Sequence, residues 1–288
     1  MNDRIDPLIA ALGWLAVAVA GHAAPVEDGF RFDEGPALPT EVMEGGLGRA
    51  QGDLLALGAD RTVDVLPSDG DAWEEAGRWE NAPEAIDTAE TDRGLVAVSG
   101  GDTPSAVLLT LGEGELRIAP LPELPFAVDG MRAVGIGNQV YVAGRQAGTN
   151  AFLRLDLAAD EPVWTPLPTW PGPARRHPGL APYQGDVILF GGESDGMGLS
   201  DGYRYDAERG WSALEPAPEP LGACRAFACG LSHILVAGGA VPDDQFMGYH
   251  AITDAWVTYD SLPRSVTVLG ASAEGTRFTL LDAGGLLQ

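Results

Sequence analysis

The chain has 288 residues, 45% of them apolar, with 42 acidic and 17 basic side chains and a formal charge of −25. That length and apolar content can bury a sizeable core, as one repeat or barrel domain or as two smaller ones. Every basic residue other than histidine is arginine, which excludes a P-loop lysine, Schiff-base chemistry and a lysine general base, while the anionic surface repels nucleic acid and anionic lipid and suits salty or extracellular surroundings.

At the start of the chain, Leu8 to Ala20 carries no charge, and Gly21 and Ala23 place small residues where a signal peptidase reads them. The run is too short to span a bilayer comfortably and suits the apolar region of a signal. It predicts a signal peptide over 1–23, one mature domain over 24–288, a periplasmic or extracellular location and no membrane insertion after cleavage. Asp3 and Asp6 offset Arg4, so the positive segment that usually opens a signal is weak.

From there on one pattern recurs. An apolar, β-rich run ends at glycine in LLALG (Gly58), LVAVSGG (Gly100), QVYVAG (Gly144), DVILFGG (Gly191), HILVAGG (Gly238) and FTLLDAGG (Gly284). The steps are 42, 44, 47, 47 and 46 residues, and a period of that size marks a repeat architecture. After each of the first five glycines come a polar loop, an alternating run and a large residue: Trp73, Leu116, Trp164, Trp211 and Trp256. A proline-bearing step and a further apolar run then lead into the next glycine strand. Each unit reads as four short antiparallel strands, the glycines bending the backbone and the tryptophan wedging between neighbours.

Six such units predict an all-β, six-bladed β-propeller. The glycine pairs, the YD of GYRYDAERGW, the tryptophan and the LP step resemble the kelch repeat over nearly everything from residue 30 onward. Phe30 to Pro39 reads as a fourth strand, so pairing of the two chain ends in one blade would close the ring. The third strand of that blade is expected either from residues 24–29 or to be missing.

Function in a propeller comes from its channel and loops. Counting back about thirteen positions from each glycine gives the residues entering the channel: Glu44 or Gly45, Asp87, Arg132, His177 or Pro178, Arg225 and Ala271. Arg175, Arg176 and Arg264 flank them in loops. Arginines converging in an acidic protein form a local anion trap suited to a carboxylate or sugar acid; in kelch repeats an arginine here also bonds neighbouring loops. His177 is the general-base candidate, with Asp87 and Glu44 as further catalytic candidates, although histidine at this point also serves structure. His250 is expected on a third strand away from the channel and His233 at the start of a glycine strand. Cys224 and Cys229, five apart in an apolar run, are too distant for a disulfide and read as buried thiols. With four scattered histidines, no metal or cofactor is expected.

One likeness is narrower. LGACRAFACGLSHILVAGG, YHAITDAW and LPRSVTVLGAS resemble the penultimate blade of bacterial N-acetylneuraminate epimerases and the related cyclically permuted mutarotases. The resemblance implies an exported kelch propeller that interconverts sugar anomers, with a small acidic or neutral sugar as partner. In that family a base takes the anomeric hydroxyl proton and an acid protonates the ring oxygen. The family's glutamate and arginine stand in a Gly-Glu-x-x-Pro-Gly-x-Arg segment of the following blade. Here that place reads LLDAGGLLQ, with Gly285 at the glutamate position and Gln288 reached before the arginine. GGESDGMGL at Gly191 to Leu199 contains Gly-Glu, but Leu199 stands where the arginine would be. The alternative is a non-catalytic module holding a protein or glycan partner at the cell surface. Copper-radical chemistry of the galactose-oxidase kind would need paired tyrosine and histidine ligands that the sequence does not assemble.

Overall fold

The computed structural model describes residues 30–288 except 40, 84, 113–114, 240–245, 264–267 and 283–284. The expected signal peptide and Arg264 lie outside the described residues. Among the described residues there are strands and turns and no helix, and the strands form six small antiparallel sheets in a ring, a six-bladed β-propeller.

Blade 1 runs Val42–Ala50, Asp53–Gly58, Thr62–Leu66, Glu74–Arg78 from the axis outward. Blade 2 is Asp87–Thr91, Gly94–Ser99, Ser105–Gly112, Glu115–Pro120, and blade 3 is Asp129–Ile136, Gln139–Gln146, Thr149–Asp156, Thr165–Pro166. Blade 4 is Gly179–Tyr183, Asp186–Phe190, Gly202–Asp206, Gly210–Leu214, with a small ribbon, Glu193–Ser194 against Met197–Gly198, inserted after its second strand. Blade 5 is Arg225–Cys229, His233–Ala237, Phe246–His250, Ala255–Thr258, and blade 6 begins Gly270–Glu274, Arg277–Asp282, Gly285–Leu287. Each innermost strand lies against the next, and Gly270–Glu274 lies against Val42–Ala50, so the ring is closed at its centre.

The glycine-ended runs are the second strands. Gly94–Ser99 and Asp186–Phe190 are buried at every position, because neighbouring blades cover both faces and leave no side for polar residues. Outer strands such as Glu74–Arg78 are largely exposed and charged. The tryptophans stand at the start of the fourth strands and bind the neighbouring blade. The indole N–H of Trp164 donates to Pro122 O at 2.8 Å, that of Trp211 to Pro168 O at 2.7 Å, and that of Trp256 to Glu215 O at 2.9 Å. Each wedge therefore satisfies its one donor while packing its ring on the neighbouring blade, Trp164 buried and Trp211 and Trp256 edge-on to Phe152 and Phe190. Leu116, in blade 2, fills the same position without a donor.

The closing blade differs from expectation in one strand. The N-terminal stretch does supply the outermost strand: Asp33 N–H donates to Gln288 O (2.7 Å), Gln288 N–H to Asp33 O (2.8 Å) and Gly35 N–H to Leu286 O (3.1 Å). The third strand, however, comes from the C-terminal end, Gly285–Leu287, which pairs with Arg277–Asp282. Phe30 and Phe32 pack edge-on to Phe246 and Phe278 beneath this seam.

Candidate functional site

The axial channel narrows at a waist made by one residue from each blade: Leu47, Thr88, Ala133, Leu180, Ala226 and Ala271. Above it is an ionic tier. Arg225 of blade 5 pairs with Asp87 Oδ1 of blade 2 and donates to Leu269 O at 2.7 Å. Asp87 Oδ2 accepts the Ala133 N–H at 2.7 Å. Blades 2 and 5 are opposite members of a six-fold ring, so this pair spans the bore. The upper cavity left beside it is about 50 Å³, room for roughly four waters.

Blade 1 delivers Glu44 to the same tier through an irregular stretch, its pairing with the second strand slipping between Val42 and Leu47. Gly45 makes this possible. Its φ is +76°, and a Cβ there would overlap the carbonyl oxygen of Ile86 and approach Asp87, so only glycine fits. Glu44, half exposed, reaches Arg132 at 3.4 Å.

Arg132 is the under-satisfied group of the site. It is 5% exposed, its contacts to Glu44 and to Met131 O are all long at 3.4 Å, and its Nε has no partner. Burial, and then the charge of Arg225, lower its pKa to about 10. A guanidinium so placed gains from an incoming carboxylate.

His177, at the entry of blade 4, is bonded to the strand start that carries Arg132. Its φ of +50° is unusual for a residue with a side chain, and the conformation is held by its N–H donating to Gly130 O at 2.6 Å. The small ribbon after the second strand of blade 4 fixes its neighbour, since Arg176 and Glu193 exchange backbone hydrogen bonds of 2.9 and 2.8 Å. Glu193 Oε2 consequently lies 4.0 Å from His177 Nδ1. Burial, and then the positive charge of Arg132, hold the imidazole below its ordinary pKa of 6.5. Both effects favour the neutral imidazole that a general base requires.

The structure thus brings together His177, Arg132, Glu44, Asp87 and Arg225 of the expected residues, and adds Glu193. Asp87 and Arg225 are engaged with each other and with backbone, which makes them a strut rather than free reactive groups. Arg175, expected to face a ligand, is instead engaged inside the blade. It is fully buried, with Nη1 and Nη2 on the two oxygens of Asp201 at 2.7 and 2.6 Å, Nη1 also on Gly191 O at 2.8 Å, and its guanidinium over Trp170 and Tyr203. Arg176 is part-exposed at the rim and pairs with Asp129 at 3.0 Å. The two cysteines are buried and free. Among the described residues, no three His, Cys, Asp or Glu side chains gather as a metal site. Glu193 was within reach of sequence reading, since it directly follows the glycine pair GG at 191–192, but its approach to His177 depends on the ribbon.

No family model matches the chain. Two curated relatives, both N-acetylneuraminate epimerases, one from Brucella suis and one from Brucella melitensis biotype 1, are each 32% identical to it over 130 residues. The matched stretch covers 41% of this chain and 32% of each relative, so it spans about a third of their length. Together with the six blades, these matches make the chain a kelch-type propeller resembling that family.

Proposed function

We propose that this propeller handles a sugar acid of the N-acetylneuraminate kind at the mouth of its channel and exchanges its anomers with His177 as base. The observation that carries the reading is a buried, under-bonded Arg132 whose charge acts on His177 at the entry of the next blade. Arg132 would take the sugar carboxylate and shift Glu44 toward solvent. His177 would remove the anomeric hydroxyl proton as the ring C–O bond breaks; the ring oxygen takes a proton from water at the open mouth, and reclosure on the other face gives the second anomer. Glu193 would orient the imidazole and stabilise its protonated form. The activity for which the two relatives are named supports the substrate class, and the apolar segment Leu8 to Ala20 supports export to the periplasm or beyond.

Titration of N-acetylneuraminate followed by protein NMR tests the binding half. Saturable binding that weakens about tenfold or more in Arg132→Met is expected, the loss of one charge-assisted contact. Unchanged affinity in that variant would remove the site.

A second reading, binding without turnover, draws on the strut. Because Asp87 and Arg225 close the bore, a sugar has to sit in the open mouth, and Gly285, at the place of the family's glutamate, brings no side chain. A protein or glycan partner would then be held at the same rim, and anomer exchange would run at its spontaneous rate.

A further inference from the structure

Below the waist the channel opens into a second chamber of about 130 Å³, room for roughly ten waters. Its wall is mainly small and apolar, with Ala228, Ala273, Pro182 and Phe227 prominent beside the hydroxyls of Thr88 and Ser272, and among the described residues one carboxylate, Glu90, stands in it. Glu90 Oε1 already accepts two hydrogen bonds, from Ser272 Oγ at 2.6 Å and from the Arg49 N–H at 3.0 Å. Oε2 has no hydrogen-bond partner among the described residues, and Glu90 lines the chamber. The Arg49 guanidinium does not fill that place, since Nη1 donates to Gly52 O at 2.8 Å and lies 3.7 Å from Glu274. Gly135 keeps the wall thin here, because a Cβ on it would overlap the Glu90 carbonyl.

We infer that this lower chamber is a second binding site, separate from the mouth, for a small primary alkylammonium whose head donates to Glu90 Oε2 and whose short tail lies against the alanine wall. One carboxylate in an apolar chamber offers too few oxygens for a calcium or magnesium ion and too few polar groups for a sugar. The −25 charge of the chain raises the local concentration of cations and lowers that of anions. Six apolar or small residues at the waist separate the chamber from Arg132, so the two sites take ligands of opposite sign.

The test is a titration of the protein with n-propylammonium, with n-propanol as the uncharged match, followed by NMR of the protein's methyl and amide groups. Saturable shifts at Ala228 and Ala273 with the amine, at least tenfold weaker with the alcohol, are expected. Glu90→Gln should abolish the preference for the amine, and Ala228→Leu, which fills the chamber and leaves Glu90 intact, should abolish binding of both. Arg132→Met should leave the amine titration unchanged, which separates this site from the mouth. Equal binding of amine and alcohol, an amine titration unchanged in Glu90→Gln, or shifts absent from the chamber would overturn the proposal.

Discussion

Arg225 and Asp87, 138 positions apart in the chain, meet across the axis of the propeller as a buried ion pair. Removing one member of such a pair leaves the other charged and uncompensated, which costs more than the pair itself is worth. Asp87→Ala should therefore lower stability by about 3–5 kcal/mol. The double replacement Asp87→Leu with Arg225→Met should lose less than that single change. Urea unfolding of both variants checks the order.

Gly45 makes the turn that carries Glu44 to Arg132. Gly45→Ala meets both a left-handed φ and the Ile86 carbonyl, a strain of roughly 1–3 kcal/mol before any clash is counted. The expected result is a lower melting temperature together with weakened sugar binding, whereas Gly52→Ala, at φ +95° with open space around it, should cost stability alone.

The tryptophan wedge is tested where it is most buried. Trp164→Leu copies the residue that blade 2 uses at Leu116, yet it removes an indole that donates to Pro122 O and leaves a void at the seam of blades 2 and 3. A loss of roughly 2–3 kcal/mol is expected, read from the denaturation midpoint.

Glu90 gives a pH dependence of known sign. Burial raises its carboxyl pKa above the ordinary 4.5, outweighing the bond from Ser272. The native state thus holds this proton better than the unfolded chain does. Its contribution is complete below the ordinary glutamate pKa and is lost as pH rises through the raised value. Glu90→Gln accepts the same two hydrogen bonds without the charge, so its stability relative to the parent protein should improve from pH 4.5 to pH 7.5. A difference that stays constant with pH would contradict the assignment.

The blade count, the second strands and the tryptophan positions were legible because each repeats with the glycine period, and repetition turns a loose motif into a register. The seam was less so. Gly285–Leu287 is too short to read as a strand, and it becomes one only because Asp33 and Gln288 lock it from the other side. The entry positions of the inner strands were legible as places but not as roles. Arg132 and Arg225 look alike in sequence, and what separates them is that Asp87 lies opposite one of them. Arg175 and Arg176 are adjacent, and the choice of which turns inward to Asp201 is made by Trp170 and Tyr203, which form the bed for its guanidinium. The Glu193 contact depends on a two-residue ribbon that carries no periodic signal.

Proton NMR of anomer exchange reads the proposed chemistry at the mouth of the channel. Freshly released α-N-acetylneuraminate would be followed with and without the protein, at a pH where spontaneous exchange is slow. Acceleration that His177→Ala abolishes and Arg132→Met weakens is expected, with activity falling only when the pH drops below the lowered pKa of His177. An exchange rate equal to the spontaneous one would contradict it and leave a propeller that binds at this rim without turning its sugar over.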